Sequence, residues 1–342
     1  MRSTVRTAQV EFPSATAKAH EGPRVRIAAL ISPSGHGNLG DEAILASTIE
    51  NLRLRLPGIR FIGITLNPDD TRRRFGIAAF PIGGISRPGY LVCGNPSRPP
   101  DDIATTEARG ADRAPPANTA PDRRGTGSVI VGAFKSMLKR VLPRELTWIV
   151  LQEVRHLRAA RRLTRGVDLV IVAGGGQIDD TWGGPWGQPY ALFKWATLAR
   201  LSGKPLVVAS VGFGALRTPL SRWFVRRALA NARYRSFRDE ESLKLMHQVG
   251  HAHPDPVEPA LAFGLDRQAL LSGARHPPGH RTICLSPMIY LDPVTWPVKD
   301  AAAYERYLDR LAHLATRLLA DWPQLVLVSS DGPDRRSVAA LY

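Results

Sequence analysis

The sequence predicts a doubly wound α/β fold, and three observations predict it. An apolar run, Ile27 to Ile31, breaks into a glycine-rich turn and then into a helical pattern. Val167 to Ala173 is almost continuously apolar, the mark of a parallel strand buried on both faces. Beyond it, strand and helix patterns keep alternating, and two of the strands end in glycine turns.

The first unit runs from Ile27 through Gly35-His36-Gly37-Asn38-Leu39-Gly40, and Asp41-Glu42 then opens a helix reaching about Leu54. Strand, glycine turn and helix in that order begin a Rossmann-like domain. Glycine lets the backbone pass close to a ligand, and the N–H groups of a helix's first turn favour an anion there. The turn also matches G-x-G-x-x-G, so a dinucleotide reading has to be weighed. Asp41 and Glu42 count against it, because they stand where a pyrophosphate would lie and themselves answer the helix dipole. The second strand, Ile59 to Leu66, ends in Asn67-Pro68-Asp69-Asp70, later than a ribose-binding acid falls. A plain βα turn with capping acids is the alternative.

Gly76 to Ile82 reads as a short third strand. Residues 95–127 are dominated by Pro, Asp, Arg, Ala and Thr and cannot bury enough surface to order themselves, which predicts a disordered insertion. Residues 129–165 form a basic helical segment, broken at Pro143. Its Lys and Arg side chains from Lys135 to Arg165 alternate with apolar ones, so it either lies on an anionic membrane surface or flanks the sheet with a solvated outer face. The strand Val167 to Ala173 then ends in Gly174-Gly175-Gly176, followed by Asp179 and Asp180. A tight turn accounts for one such glycine more readily than for three. Trp182, Trp186 and Tyr190 come next, able either to stack on sugar faces or to pin the loop to the core.

A helix over Ala191 to Leu201, a strand over Leu206 to Val211 ending in Gly212-Phe213-Gly214, a helix over Pro219 to Asn231 and a strand over Tyr234 to Phe237 continue the rhythm. Arg238-Asp239-Glu240-Glu241-Ser242 opens another helix. Arg238, at a strand's carboxyl end, suits a phosphate or carboxylate bound by paired hydrogen bonds, and Asp239 is the natural N-cap. His247, His251 and His253 straddle a glycine turn and read as a solvated loop, so no metal is expected. Residues 267–280 read as a linker between a first domain, 25–266, and a second that starts at 281. That second part holds strand Thr282 to Tyr290, helix Ala301 to Ala320 and strand Gln324 to Ser329, too little for a stable sheet alone.

The chain has 342 residues and a net charge of +16, concentrated in a flexible arm over 1–24, in Lys135 to Arg165 and in Arg200 to Arg238. This balance suits nucleic acid, an anionic membrane face or phosphorylated and carboxylated substrates; arginine usage in a GC-rich genome accounts for it equally well. No nucleic-acid-binding module is recognisable, so no specific nucleic acid is expected. Cys93 and Cys284 are the only cysteines and lack metal spacing, which fits a reducing cytosol. No apolar run is long enough to cross a bilayer. The expected location is cytoplasmic, at the inner face of the membrane if the basic segment touches lipid.

The combination of Gly37-Asn38-Leu39-Gly40-Asp41-Glu42, Gly174-Gly175-Gly176, Arg238-Asp239-Glu240-Glu241-Ser242 and Val257-Glu258-Pro259-Ala260 resembles the polysaccharide pyruvyl transferase family. The resemblance implies a two-domain fold like that of the GT-B glycosyltransferases. It implies transfer of pyruvyl from phosphoenolpyruvate to two sugar hydroxyls as a ketal, in exopolysaccharide or cell-wall polymer synthesis, with no further cofactor. The acceptor would be a saccharide or a lipid-linked oligosaccharide. Glu258 replaces the family's usual aspartate, and no later Arg-x-His motif follows, so the sequence reads as a C-terminally incomplete member.

That chemistry needs cations for the donor's phosphate and carboxylate, and an acid and a base for proton transfer. Arg238 is the expected donor ligand, with Asp239 and Ser242 beside it. Gly37, Asn38, Gly40 and the backbone of Gly174, Gly175 and Gly176 would shape the crevice. Asp41, Glu42, Asp179 and His36 are the candidates for proton transfer or for holding sugar hydroxyls. A glycosyltransferase of the same architecture, or a non-catalytic relative that binds membrane or polymer, are the alternatives.

Overall fold

The computed structural model describes residues 25–84, 144–251, 253–258 and 282–342. Six parallel strands form the main sheet: β1 (Ile27–Ile31), β2 (Arg60–Thr65), β3 (Ala78–Pro81), β4 (Leu169–Ile178), β5 (Leu206–Phe213) and β6 (Tyr234–Phe237). Their spatial order is β3-β2-β1-β4-β5-β6. The order reverses between β1 and β4, and in such sheets a crevice opens at that switch point, beyond the strands' carboxyl ends.

The helices are α1 (Leu39–Arg55), α2 (Pro68–Phe75), α3 (Arg144–Gly166), α4 (Gln188–Leu201), α5 (Pro219–Ala230) and α6 (Glu240–Gln248). Alternate side chains of one strand serve opposite faces. Ala28 and Leu30 pack with Leu45 and Ile49 of α1, whereas Ala29 and Ile31 join Trp195 of α4, Val225 of α5 and Leu163 of α3. All of these residues except Leu163 are under 5 % exposed, so the strands are buried on both faces, as their apolar runs require. Burial of that apolar area, at about 25 cal/mol per Å², is the term that holds the sheet between its helix layers.

A second, two-stranded parallel sheet pairs β7 (Thr282–Leu285) with β8 (Gln324–Leu327). Between and after them come α7 (Ala301–Asp321) and α8 (Arg335–Leu341). α7 has no fully buried residue, so this unit lacks a core comparable to that of the main sheet.

Several elements differ from the sequence reading, each for a physical reason. β4 does not stop at Ala173; it continues through the three glycines to Ile178, with a register shift between Gly175 and Ile178. Gly174 and Gly175 have φ of +57° and +76°, so the strand bulges there instead of turning away. The stretch after β2 is the start of a helix: Asn67 caps α2, Pro68 occupies its first turn, and Gly76 closes it in the left-handed region. β7 and β8 are shorter than the apolar runs suggested, because Ser286 to Tyr290 and Val328 to Ser329 leave the ladder.

Within α3, Leu163 and Ala160 face the core, and Arg155, Arg158, Arg161, Arg162 and Arg165 are exposed. The described part of the segment thus flanks the sheet with its arginines outward, and Trp148 remains exposed beside them. Residues 1–24, the 95–127 insertion, Lys135 to Pro143, Pro259-Ala260 and the 267–280 linker lie outside the described residues.

Candidate active site

The carboxyl ends of β1, β4, β5 and β6 bring three of the sequence motifs together. After β1, Asn38 caps α1: its Oδ1 accepts from the N–H groups of Gly40 (2.9 Å) and Asp41 (3.1 Å). Glu42 Oε1 accepts from Gly35 N–H at 2.6 Å and closes the loop from inside. The N–H of Leu39 donates to Ser330 O, 2.9 Å away in the loop after β8. The first-turn N–H groups that the glycine motif seemed to offer an anion are therefore taken by the chain itself. Helix α1 contributes its acids to the crevice, and a cation for an anionic ligand has to come from elsewhere.

Asp41 is the centre of this arrangement. A Cβ on Gly175 would lie 3.0 Å from Asp41 Oδ1, and one on Gly174 only 2.8 Å from Ile44 Cγ2. The bulge of β4 thus passes against the first turns of α1 at a distance that only glycine allows, with positive φ besides. His36 Nε2 stands 3.8 Å from Asp41 Oδ2. Its Nδ1 is 2.7 Å from Pro33 O and donates to that carbonyl, which leaves Nε2 as the atom facing the carboxyl group. Burial pushes Asp41 up from 3.8 to about 6; the charges of Asp331 and Glu42 push the same way, and His36 and Arg238 oppose them. Glu42 is likewise raised, first by burial, and its Oε2 is buried without a hydrogen bond among the described residues.

Arg238 follows β6. Its backbone N–H donates to Val211 O (3.1 Å) and its Nε to Asp239 Oδ2 (3.0 Å). The guanidinium lies over Gly212, where a Cβ would come within 2.7 Å of Cζ. Its terminal amino groups make no hydrogen bond among the described residues, and the side chain is 44 % exposed. Arg238 is thus a fixed, half-exposed fork at the edge of the crevice.

Asp239 and Ser242 serve the scaffold. Asp239 Oδ1 accepts from Ser242 N–H at 2.7 Å, and the hydroxyl and N–H of Ser242 hold Asp239 down to about 2. Ser242 Oγ also accepts from Phe213 N–H at 3.0 Å, tying the end of β5 to α6. Asp179 accepts from the N–H groups of Thr181 and Ala215, which sets the β4 loop against the β5 loop. Asp180 Oδ2 accepts from Arg217 N–H, Thr218 N–H and Ser221 Oγ, and so anchors α5 to the same edge.

The second sheet brings a residue that the sequence reading overlooked. Asp331 lies after β8, its Oδ2 3.5 Å from Asn38 Nδ2, and its Oδ1 is buried without a hydrogen bond among the described residues. Gly332 packs on Gly37, 3.3 Å from where a Cβ would stand. The signal was present as Ser330-Asp331-Gly332 at a strand's carboxyl end, the same position that singled out the other motifs.

The three histidines stand apart from this crevice. His251 and His253 both reach Asp255, at 2.9 Å each, and Arg235 Nε bonds the same carboxylate at 3.1 Å. Among the described residues, no group of His, Cys, Asp and Glu side chains is arranged to hold a metal ion.

An acid held near neutrality, a fixed guanidinium and a crevice between two parallel sheets suit transfer of an anionic group to a hydroxyl. No match to the chain is found among curated proteins. The sequence model of the polysaccharide pyruvyl transferase family matches residues 38–337, from the cap of α1 into α8; both acidic loops and Arg238 lie inside that match, and the chain belongs to this family of transferases.

Proposed function

We propose that the protein transfers the pyruvyl group of phosphoenolpyruvate to two hydroxyls of a saccharide, closing a ketal and releasing phosphate. The observation that carries the reading is Arg238: a guanidinium fixed through Nε at the edge of the crevice that holds Asp41, its terminal nitrogens without a hydrogen bond among the described residues. A planar fork of that kind matches a carboxylate or phosphate in two parallel hydrogen bonds.

In this reading, an acid delivers a proton to the methylene carbon of the donor, using the enol π pair and leaving C2 electron-poor. A sugar hydroxyl attacks C2 and gives up its proton. The C2–O bond to phosphate then breaks, and a second hydroxyl closes the ketal and loses its proton. One of the two hydroxyl protons balances the methyl group, and the other leaves with phosphate. Asp41, held at about 6, is protonated in an appreciable fraction near neutral pH and is suited to supply the first proton. His36 Nε2, 3.8 Å away, is placed to return it. Arg238 binds the donor, and the buried carboxyls of Glu42 and Asp331 are the groups nearest Asp41 for holding hydroxyls.

The proposed setting is exopolysaccharide or cell-wall polymer synthesis in the cytoplasm, with a saccharide or lipid-linked oligosaccharide as acceptor. The test is a thermal-stability titration with phosphoenolpyruvate beside UDP, GDP-mannose and NAD. A ligand at a hundred times its Kd stabilises by about 2.7 kcal/mol, so binding will show as a rise in Tm. The rise is expected with phosphoenolpyruvate alone and is expected to vanish in Arg238→Ala. A rise with a nucleotide sugar instead, or an undiminished rise in Arg238→Ala, would overturn the assignment.

A further inference from the structure

The sequence reading left membrane contact open for the basic segment ending at Arg165, beside a flanking-helix alternative. In the fold, α3 buries Ala160 and Leu163 and leaves a single large apolar side chain exposed, Trp148, among its described residues, whereas another helix sets two exposed apolar side chains within a turn of its arginines. That helix is α5. Phe224, Val225, Ala228 and Leu229 fill the core, yet Leu220 and Trp223, one turn apart, remain 37 % and 40 % exposed. Trp186, in the loop after β4, is 49 % exposed. It packs edge-on against Phe224 at 5.6 Å, and Trp223 meets the same ring at 5.4 Å, so the exposed aromatics belong to one cluster.

Arginines border this cluster. Arg222, Arg226 and Arg227 project from α5, Arg227 lies over the Trp223 ring at 5.8 Å, and no acidic residue occurs between Arg217 and Arg235. Tryptophan and leucine set among arginines with no compensating acid match the two-layered chemistry of a bilayer surface: an anionic headgroup zone above an apolar one. A soluble polyanion would answer the arginines but leave the exposed surfaces of Trp223 and Leu220 in water.

The patch also stands in a definite relation to the crevice. The N-terminus of α5 follows β5, and Asp180, at the end of β4, holds it through Ser221 Oγ at 2.7 Å. Leu220 and Trp186 therefore lie on the same edge of the sheet as Asp41 and Arg238. We infer that the α5 face, through Leu220, Trp223, Trp186 and the arginines beside them, docks on an anionic lipid bilayer and holds the crevice at the membrane surface. This inference does not depend on the donor assignment, since it rests on surface chemistry alone.

The test is co-sedimentation of the full chain with phosphatidylcholine vesicles, with and without phosphatidylglycerol, compared with heparin as a soluble polyanion. Each arginine near an anionic surface contributes about a fivefold factor, so Arg226→Gln with Arg227→Gln is expected to weaken partitioning about thirtyfold. Removing the exposed part of an indole should cost at least about another tenfold in Trp223→Ala. Arg161→Gln with Arg162→Gln on α3 is expected to leave partitioning near the unaltered value. With the unmodified protein, brominated lipid should quench tryptophan fluorescence, and Trp223→Ala should lose part of that quench. Absence of binding to the anionic vesicles would overturn the proposal. So would full binding by the α5 variants, or loss through the α3 variant instead. If the arginine changes weaken heparin and vesicle binding alike while Trp223→Ala changes neither, the face is a polyanion site and the bilayer assignment falls.

Discussion

Replacing Asp41 by Asn tests the electrostatics of the crevice directly. Burial, reinforced by Asp331 and Glu42, moves Asp41 from 3.8 in the unfolded chain to about 6 in the fold. A raised carboxyl binds its proton more tightly in the native state than in the unfolded one. Its ionisation therefore costs stability, beginning as pH rises through 3.8 and complete above 6. At about 1.4 kcal/mol per pH unit, a rise of some two units gives a cost of about 3 kcal/mol above that window. Asn removes the cost but also the favourable anion in the first turn of α1, worth about 0.3–1 kcal/mol. The net expectation is that Asp41→Asn is more stable than the unaltered protein by about 2 kcal/mol near pH 8. Near pH 4 most of the advantage should be gone, because Asp41 is then neutral in the fold and only a little over half ionised in the unfolded chain. Urea unfolding midpoints at the two pH values read this difference, and a ketal-formation assay should show activity lost in the same variant. Equal margins at both pH values, or a variant less stable near pH 8, would refute the reasoning.

Three further changes probe separate parts of the site. Gly212→Ala puts a Cβ 2.7 Å from Arg238 Cζ, and the far end of that side chain can swing aside; stability should change by less than about 1 kcal/mol while donor affinity, read by thermal shift, falls about tenfold or more. Asp331→Asn removes a charge that raises Asp41, so the activity limb assigned to Asp41 should move to lower pH. Lys194 Nζ is buried 3.1 Å from Glu153 Oε1; burial raises Glu153, but the ammonium and His156 hold it below its ordinary value. Lys194→Met should cost about 3 kcal/mol by urea unfolding, and adding Glu153→Gln should restore most of it.

Much of the main sheet was legible because its strands are apolar on both faces. Ile27–Ile31 was bounded to the residue as a short apolar run closed by a glycine turn, and Tyr234–Phe237, which is only half apolar, by the Arg238-Asp239 cap that follows it. The triglycine was read as a loop facing the crevice, with a tight turn as the alternative, whereas it lies within β4. What the sequence could not show is that it approaches Asp41 on α1, which lets the strand run on as a bulge. Helix α2 was missed because Asn67-Pro68-Asp69-Asp70 is also a good turn sequence, and only the left-handed Gly76 eight residues on marks it as a cap, first turn and stop. Asp331 was missed because its importance depends on a contact between two sheets, which no local pattern encodes.

That contact changes how the first motif works. A glycine turn at the start of a helix is usually read as an anion cradle. Here Asn38 closes the N–H groups of Gly40 and Asp41, and Ser330 closes that of Leu39 from the second sheet. The same loop brings Asp331 to Asn38 and Gly332 onto Gly37. The glycine at position 37 thus admits the close approach of another backbone, that of Gly332. That backbone adds negative charge close to a carboxyl already raised by burial. In the proposed reaction, the positive charge that an anionic donor needs would be supplied across the crevice by Arg238, fixed by Asp239 and laid over Gly212. A proton-holding acid on one wall and a guanidinium on the other follow from the same packing. Asp41 can hold its proton because it is buried and two of its neighbours are acids, while the proposed donor's charges would find a partner on the β6 side. Had the glycine turn itself bound the anion, the donor would lie against Asp41 and Glu42 and be repelled by both.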